Sequence, residues 1–352
     1  MLDLIRDLSN AYGTSGFEDE VLTVVEKYKG QLRMDVDKLM NCYLSSENQS
    51  SKEITLMLDA HLDEVGFMVQ FIDQQGLIEF LPLGRWVVEN IPSQLVMVRN
   101  SEGQYYQGVV ASKAPHFMTE AEREQSLTVE SLKIDLGATS RQEVIEDFKI
   151  QVGAPIVPFS EFQFNQANQM MLGKAFDNRL GCAAVIETLK GLEDLDLDIN
   201  VVGALAAQEE VGTRGAVVTS RTVRPDLAIV FEGSPSDDTF TDIYHSQCRI
   251  KAGPQFRHRD NSYVANHRFI SYGEKIAREN QIPFQNTVRV GGGTNAGRIH
   301  LSGEGVPTLV LGIPVRYIHS HHGYAGLEDF KNTVRLAIEI IKDLDVEKYK
   351  LL

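Results

Sequence analysis

At 352 residues the chain is long for a single compact core, so two domains, or one domain with a large insert, are expected. Hydrophobic content of 43% is ordinary for a globular protein, and a formal net charge of −15 argues against nucleic acid or an anionic membrane as a partner, because both are bound by clustered Lys and Arg. No apolar run approaches the ~20 residues that span a bilayer, Asp3, Arg6 and Asp7 interrupt the N-terminus before a signal-peptide core could form, and Cys42, Cys182 and Cys248 are too scattered for a disulfide framework, so a cytoplasmic protein with reduced thiols is expected.

In chain order, FEDEVLTVVEKYKG (17–30) spaces Val21, Leu22, Val25 and Tyr28 as one face of a helix, with acids in its first turn and Gly30 at its end. EITLMLDA (53–60) is a short apolar run of strand length, which makes position 61 a strand end. Between about 68 and 165 the texture changes. FMVQFIDQQGLIEFLPLG and SQLVMVRNSEGQYYQGVVA alternate around turns as hairpins do, LTVESLKIDLGA and PIVPF add short strands, and PHFMTEAEREQS (115–126) reads as a polar, mobile loop. From 166 onward, helix and strand patterns alternate: DNRLGCAAVIETLKGL, INVVGALAA, TRGAVVTSRT, DLAIVFE, the amphipathic 262–280, TVRV, VPTLVLGI and a long closing helix from 327. Such alternation implies an α/β fold, a mixed, mostly parallel sheet flanked by helices, with a β-rich insert.

The residues that carry chemistry sit at the C-terminal ends of the apolar strands. His61 and Asp63 follow ITLMLDA, Glu209 and Glu210 follow INVVGALAAQ, Glu232 ends DLAIVFE, His319 follows VPTLVLGIPVRYI, and Asp177 opens the helix DNRLG. Ligands of open α/β sheets bind beyond these strand ends. Two histidines with several carboxylates suit a two-metal site for Zn²⁺, Co²⁺ or Mn²⁺. In that reading His61 is a metal ligand and Asp63 orients it. Adjacent residues of an extended chain point to opposite sides, so one of Glu209 and Glu210 would hold metal while the other enters the cleft as general base. Taken singly, each residue also has an ordinary structural explanation, such as a helix N-cap for Asp177 or a solvated turn for the glutamates. Their combination in this α/β order favours a site.

The motifs SGFEDEV (15–21), AHLDEVGF (60–67), AFDNRLG (175–181), QEEVGTRGA (208–216), GGGTNAG (291–297) and IPVRYIHS (313–320) together resemble the M42 family of metallo-aminopeptidases, the glutamyl, leucyl and deblocking aminopeptidases, over nearly the whole chain. The resemblance implies a zinc-peptidase-like catalytic domain, 1–67 with 166–352, and a β-barrel-like or PDZ-like insert, 68–165, used in assembly. It implies two divalent ions per subunit, Zn²⁺ as the leading candidate with Co²⁺ or Mn²⁺ as the others. Asp177 would bridge them, His61 and Glu232 would complete one site, and Glu210 and His319 the other. Glu209 would be the general base, Asp63 would tune His61, and Arg316, Asn295 and Gly292 would contact substrate. The implied activity removes N-terminal residues from short peptides with a free N-terminus by a metal-bound hydroxide, in a tetrahedral homododecamer with no nucleic-acid or membrane partner.

Three departures stand out. Asn295 replaces the family's usual Asp, Glu232 stands where many members have Asp, and HHGYAG follows IHS, with His321 and His322 read as rim residues. The alternatives are a metal-dependent deacylase, a glycosidase, which would need two carboxylates facing each other across the bond, and a non-catalytic assembly protein with a degenerate site. An acidic first residue would call for a basic group in the pocket, with Arg179, Arg214, Arg298 and Arg316 all near motifs.

Overall fold

The computed structural model describes residues 1–46, 52–124 and 126–352. At its centre, Asn200–Ala206, Thr55–His61, Leu227–Pro235 and Thr308–Arg316 lie side by side, each parallel to its neighbour. Their continuous apolar runs are explained by burial on both faces. Leu56, Leu58 and Ala60 pack toward one helical layer, while Met57 joins Ala204, Ala228 and Val310 beneath the other. The first layer comprises Leu2–Asn10, Asp19–Tyr28, Phe176–Leu192, His267–Glu279 and Leu327–Asp343, and the second includes Arg214–Val223 and Ala296–Ile299. Antiparallel strands extend the sheet on both sides, to eleven among the described residues. The mixed, mostly parallel sheet flanked by helices is the architecture expected from the sequence.

The insert is a closed barrel of six strands, running from Gly66–Ile72 to Pro155–Pro158. Both expected hairpins are present as antiparallel pairs, and the first and last strands pair with each other to close the ring. Closure leaves no free edge in the ring, and Phe67, Val69, Ile78, Val96, Ile134 and Ile156 fill its interior.

Several elements differ from the sequence reading. Helix Leu2–Asn10 was not anticipated; Leu4, Ile5 and Leu8 bury its inner face. The hairpin Arg33–Val36 with Cys42–Ser45 was also not anticipated. The amphipathic helix starts only at His267, because the Asn266 side chain accepts from Arg268 N and Phe269 N and sets the first turn there. The closing helix stops at Asp343, and Asp345 caps a separate turn, Val346–Tyr349. The expected loop at 115–126 contains the short helix Glu120–Glu124, and Gln125 lies outside the described residues. Among the described residues no helix is long and apolar enough to cross a membrane.

A buried ionic cluster joins the N-terminal helix to the sheet. Lys174 Nζ lies 2.5 Å from Glu64 Oε1 and 2.9 Å from Ala11 O. Arg179 donates to Leu62 O, Leu8 O, Gly13 O and Glu64 Oε1. Burial pushes the Lys174 ammonium down to about 8 against the pull of Glu64. Removing the one anion would strand two buried cations, so Glu64→Ala should destabilise the fold by about 3–5 kcal/mol, which urea unfolding followed by circular dichroism would measure.

Candidate active site

The parallel register brings the strand ends level. Ala206 pairs with His61, and Glu232 lies two residues beyond the Val230–Asp59 pair, which sets it beside His61. Asp177 arrives from the turn that opens helix Phe176–Leu192, where Asp177 and Asn178 depart from helical backbone angles. That turn lies so close to the Glu232 strand that a Cβ on Gly233 would fall 2.7 Å from Asp177 Cα. His319 arrives from the loop after Thr308–Arg316, with a left-handed φ of 56°.

Asp177 stands between the two imidazoles. Its Oδ1 is 3.2 Å from His61 Nε2 and its Oδ2 is 3.3 Å from His319 Nε2. Glu210 Oε1 lies 3.6 Å from His319 Nε2, and Glu209 Oε2 and Glu232 Oε1 lie 3.9 and 4.0 Å from His61 Nε2. On its far side the His61 ring is held by Asp63, with Nδ1 3.0 Å from the backbone oxygen and 3.4 Å from Oδ1. Asp63 in turn accepts from Ser15 Oγ, Glu209 N and Glu210 N.

The Glu209–Glu210 segment is a turn, not the extended chain the sequence suggested. Gln208 has a φ of 56°, and both carboxylates line the same cleft. Asn178 is a partner the sequence reading missed. Its amide donates to Glu232 Oε2 and Phe231 O, and its Oδ1 accepts from Gly233 N and Gly181 N. It lies beside Asp177 in the DNR motif, but its bonds reach across 53 to 55 residues.

Charge is concentrated here. Burial pushes Glu209 up to about 7, and burial with the negative charge of Asp177 raises Glu210 and Glu232 well above the carboxylate range. Asp177 goes the other way: burial opposes its ionisation, but hydrogen bonds from His319 and His61 hold it below that range. His61, whose burial disfavours its charged form, is nonetheless raised well above its ordinary value by Asp177 and Asp63. Five acids thus face two histidines, so ionising them all would leave uncompensated negative charge in a largely buried place. His61, Asp177 and Glu210 offer ligand atoms all within 4.8 Å of one another, and Glu210 Oε1 is buried without a hydrogen-bond partner among the described residues. Imidazole nitrogen, carboxylate oxygen, excess negative charge and an orphan acceptor are what a divalent cation site supplies. The residues fit the implied metals.

Beyond this cluster opens a cleft of about 960 Å³, walled by Gly84 and Arg85 of the insert, Gln247, Arg257, Arg289 and the glycine turn 291–293. Gly292 is in that wall. Asn295 is behind it, buried and donating to Asp59 Oδ2 at 2.9 Å. Arg316 does not line the cleft, because its guanidinium is engaged by Asp238 through two bonds of 2.8 and 2.7 Å. Arg179 is buried in the ionic cluster, Arg214 bonds Gln208, and Arg298 bonds Thr213. The arginines at the cleft are Arg85, Arg257 and Arg289, none of which the sequence reading singled out. His321 is not at the rim: it is buried against Trp86, ring centroids 5.2 Å apart.

Comparison with known proteins gives a consistent picture. Residues 41–336 match the family described as M42 glutamyl aminopeptidase. The chain is 36% identical to the solved TET aminopeptidase of a marine sediment Thaumarchaeota archaeon, with a TM-score of 0.94 over 99% of this chain and 98% of that one. It is 29% identical to the glutamyl aminopeptidase of Lactococcus lactis, over 99% of this chain and 98% of the relative. It also superimposes with a TM-score of 0.86 on the Pyrococcus horikoshii TET1 peptidase, at 26% identity over 97% of this chain and 99% of that one; that peptidase can assemble into a tetrahedron or a large octahedral shell.

The close approach at Gly233 is testable without assigning any role. Gly233→Ala should force the Asp177 turn off the strand at a cost of about 1–3 kcal/mol, seen as a lower thermal midpoint.

Proposed function

The chain belongs to the M42 glutamyl aminopeptidase family and is an aminopeptidase, and we propose that it releases single residues from the free N-termini of short peptides with two divalent metal ions bound at the His61–Asp177–His319 cluster. The observation that carries this reading is Asp177, one carboxylate held between two imidazoles at 3.2 and 3.3 Å, as a bridging ligand would be. His61 and Glu232 would complete one ion's coordination, and Glu210 and His319 the other's. Zn²⁺ leads on ligand type, with Co²⁺ or Mn²⁺ able to use the same donors. When bound, the ions would polarise the scissile carbonyl and lower the pKa of water.

The chain's own groups do the rest. Glu209 is placed to take a proton from the attacking water and pass it to the leaving amine. Its buried position raises its proton affinity to about 7, and dications beside it would draw it back toward the carboxylate that a base must be. Asp63 fixes the His61 ring, leaving Nε2 directed into the cluster. Asn178 does the same for Glu232. The surplus of carboxylates offers anchorage to a substrate's α-ammonium, and the turn at Gly292 presents backbone to the peptide. The proposed setting is the cytoplasm, where the buried free thiols of Cys42, Cys182 and Cys248 stay reduced.

Self-association into a tetrahedral dodecamer is part of the proposal. Large apolar side chains are left exposed, among them Phe117 and Val152 on the insert, Val290 at the cleft wall, and Phe240 and Tyr244 between Asp237 and Ser246, and the P. horikoshii relative can assemble into a tetrahedron.

Three measurements follow. Release of the first residue from free di- and tripeptides should stop on chelation and return with Zn²⁺, Co²⁺ or Mn²⁺; release that survives complete metal removal would sink the metal assignment. Glu209→Gln should retain bound metal while kcat falls on the order of 10²–10⁴-fold, and near-normal turnover would reject it as the base. Mass photometry should find twelve-chain particles, and a monomer at micromolar concentration would count against the assembly.

A further inference from the structure

The Glu209–Glu210 turn has an unusual support. The strand ladder ends at Ala206, opposite His61. The next four amides would be left unpaired in a buried place, yet each one donates to a side-chain oxygen brought from elsewhere in the chain. Ala207 N bonds Asn41 Oδ1 at 2.8 Å, Gln208 N bonds Glu18 Oε1 at 3.1 Å, Glu209 N bonds Asp63 Oδ1 at 2.9 Å and Glu210 N bonds Asp63 Oδ2 at 3.1 Å. Gln208, the residue that bonds Glu18, is also the one in the left-handed region, where the chain changes direction and sends both glutamates into the cleft.

We propose that Glu18 is a positioning residue for peptide hydrolysis, whose carboxylate holds the Gln208 amide and thereby aims the Glu209 side chain at the reacting centre. The inference rests on the reading of Glu209 as the general base. Glu18 is fully buried, and its Oε1 also accepts from Gly16 N at 2.9 Å, where a φ of 89° turns the N-terminal segment inward to reach the sheet edge. Its other oxygen, Oε2, has no hydrogen-bond partner among the described residues. Asp63 is near enough to oppose its ionisation, after burial itself. A buried acid with an orphan oxygen beside a second acid lowers stability. Fold stability alone would be better served by an apolar side chain of similar size, so the gain must lie in an acceptor held at this reach, which a shorter or apolar group would not supply. Of the motif SGFEDEV, Ser15 is accounted for by Asp63, and this assigns Glu18.

The test compares Glu18→Ala, Glu18→Asp and Glu18→Gln with Glu20→Ala, all as full-length protein with Zn²⁺ supplied. Glu20 accepts from Tyr12 N in the same segment and bonds Tyr105 of the insert, while the amides of the turn bond Asn41, Glu18 and Asp63, so its variant reports loosening of the segment and of its contact with the insert. Positioning acts on the transition state, so Glu18→Ala should lower kcat on the order of 10–100-fold while KM stays within about threefold and bound metal is unchanged. Glu18→Gln keeps an acceptor oxygen on a side chain of the same length and should recover kcat to within about fivefold of wild type. Should Glu18→Ala not fold, Glu18→Asp, which keeps the charge and retracts the acceptor by one methylene, carries the same expectation of lower kcat at constant KM. Unchanged kcat in a folded Glu18→Ala or Glu18→Asp protein overturns the proposal. An equal loss in Glu20→Ala, or loss of metal in step with kcat, also overturns it. An inert wild-type enzyme would sink the aminopeptidase mechanism together with this inference, whereas an active wild type with indifferent Glu18 variants sinks the inference alone.

Discussion

Asp63, Asp177, Glu209, Glu210 and Glu232 occupy one buried pocket around two imidazoles, and their mutual repulsion is the constraint that the surrounding structure is arranged to contain. Burial and like charge push three of these acids upward, while Asp177, with an imidazole on each oxygen, is held down. Such a cluster would relax by rotating side chains into solvent unless each was tied from behind. Asn178 ties Glu232, Asp63 ties His61, and the amides of the Glu209–Glu210 turn are tied to Asp63 and Glu18. The tethers come from the backbone of neighbouring turns and from side chains with no apolar alternative, which is why so many polar residues are fully buried near this sheet edge.

A second set of charges sits one step farther from the cleft. Lys174, Glu64 and Arg179 are buried and satisfied largely by backbone carbonyls of the N-terminal segment. Arg179 is two residues from Asp177, and Glu64 is next to Asp63, so the same cluster that docks the first helix also fixes the two turns that carry the acids. Packing and site geometry are therefore coupled: the N-terminal residues contribute no group to the cleft, but they supply Ser15 and Glu18 to the support behind it.

The barrel insert meets the helix-flanked sheet at the same place. Gly84 approaches Glu210 closely enough that a Cβ would fall 3.2 Å from the Glu210 Cβ, and Arg85 forms part of the cleft wall. Trp86 stacks on Phe67 inside the barrel mouth and faces His321, two residues beyond His319. His322 bonds Ser160, just beyond the last barrel strand Pro155–Pro158. The loop carrying His319 is thus packed against the barrel, which gives the insert a direct mechanical connection to the cluster of His61, Asp177 and His319.

The sequence by itself determined the α/β alternation, the β-rich insert and the strand ends at which His61, Glu209, Glu210, Glu232 and His319 stand, because apolar runs and turn residues are local signals read within a few positions. It did not announce helix Leu2–Asn10, whose nine residues repeat the amphipathic pattern too few times to stand out and whose charges become intelligible only once Arg6 pairs with Asp7 and Asp7 with Lys27 on the next helix. Nor could it choose among arginines: Arg316 and Arg179 lie in conspicuous motifs yet are taken up by Asp238 and Glu64, while Arg257 reaches the cleft from the unremarked strand Gln255–Arg259 and Arg289 from just beyond Gln285–Val288. The extended geometry assumed for Glu209 and Glu210 failed for a related reason. Their direction is set by a left-handed Gln208 and by acceptors at positions 18, 41 and 63, contacts spanning well over a hundred residues. Residue type and strand position belong to the one-dimensional chain; the orientation of a side chain at a strand end depends on what fills the space behind it, and only the tertiary structure decides that.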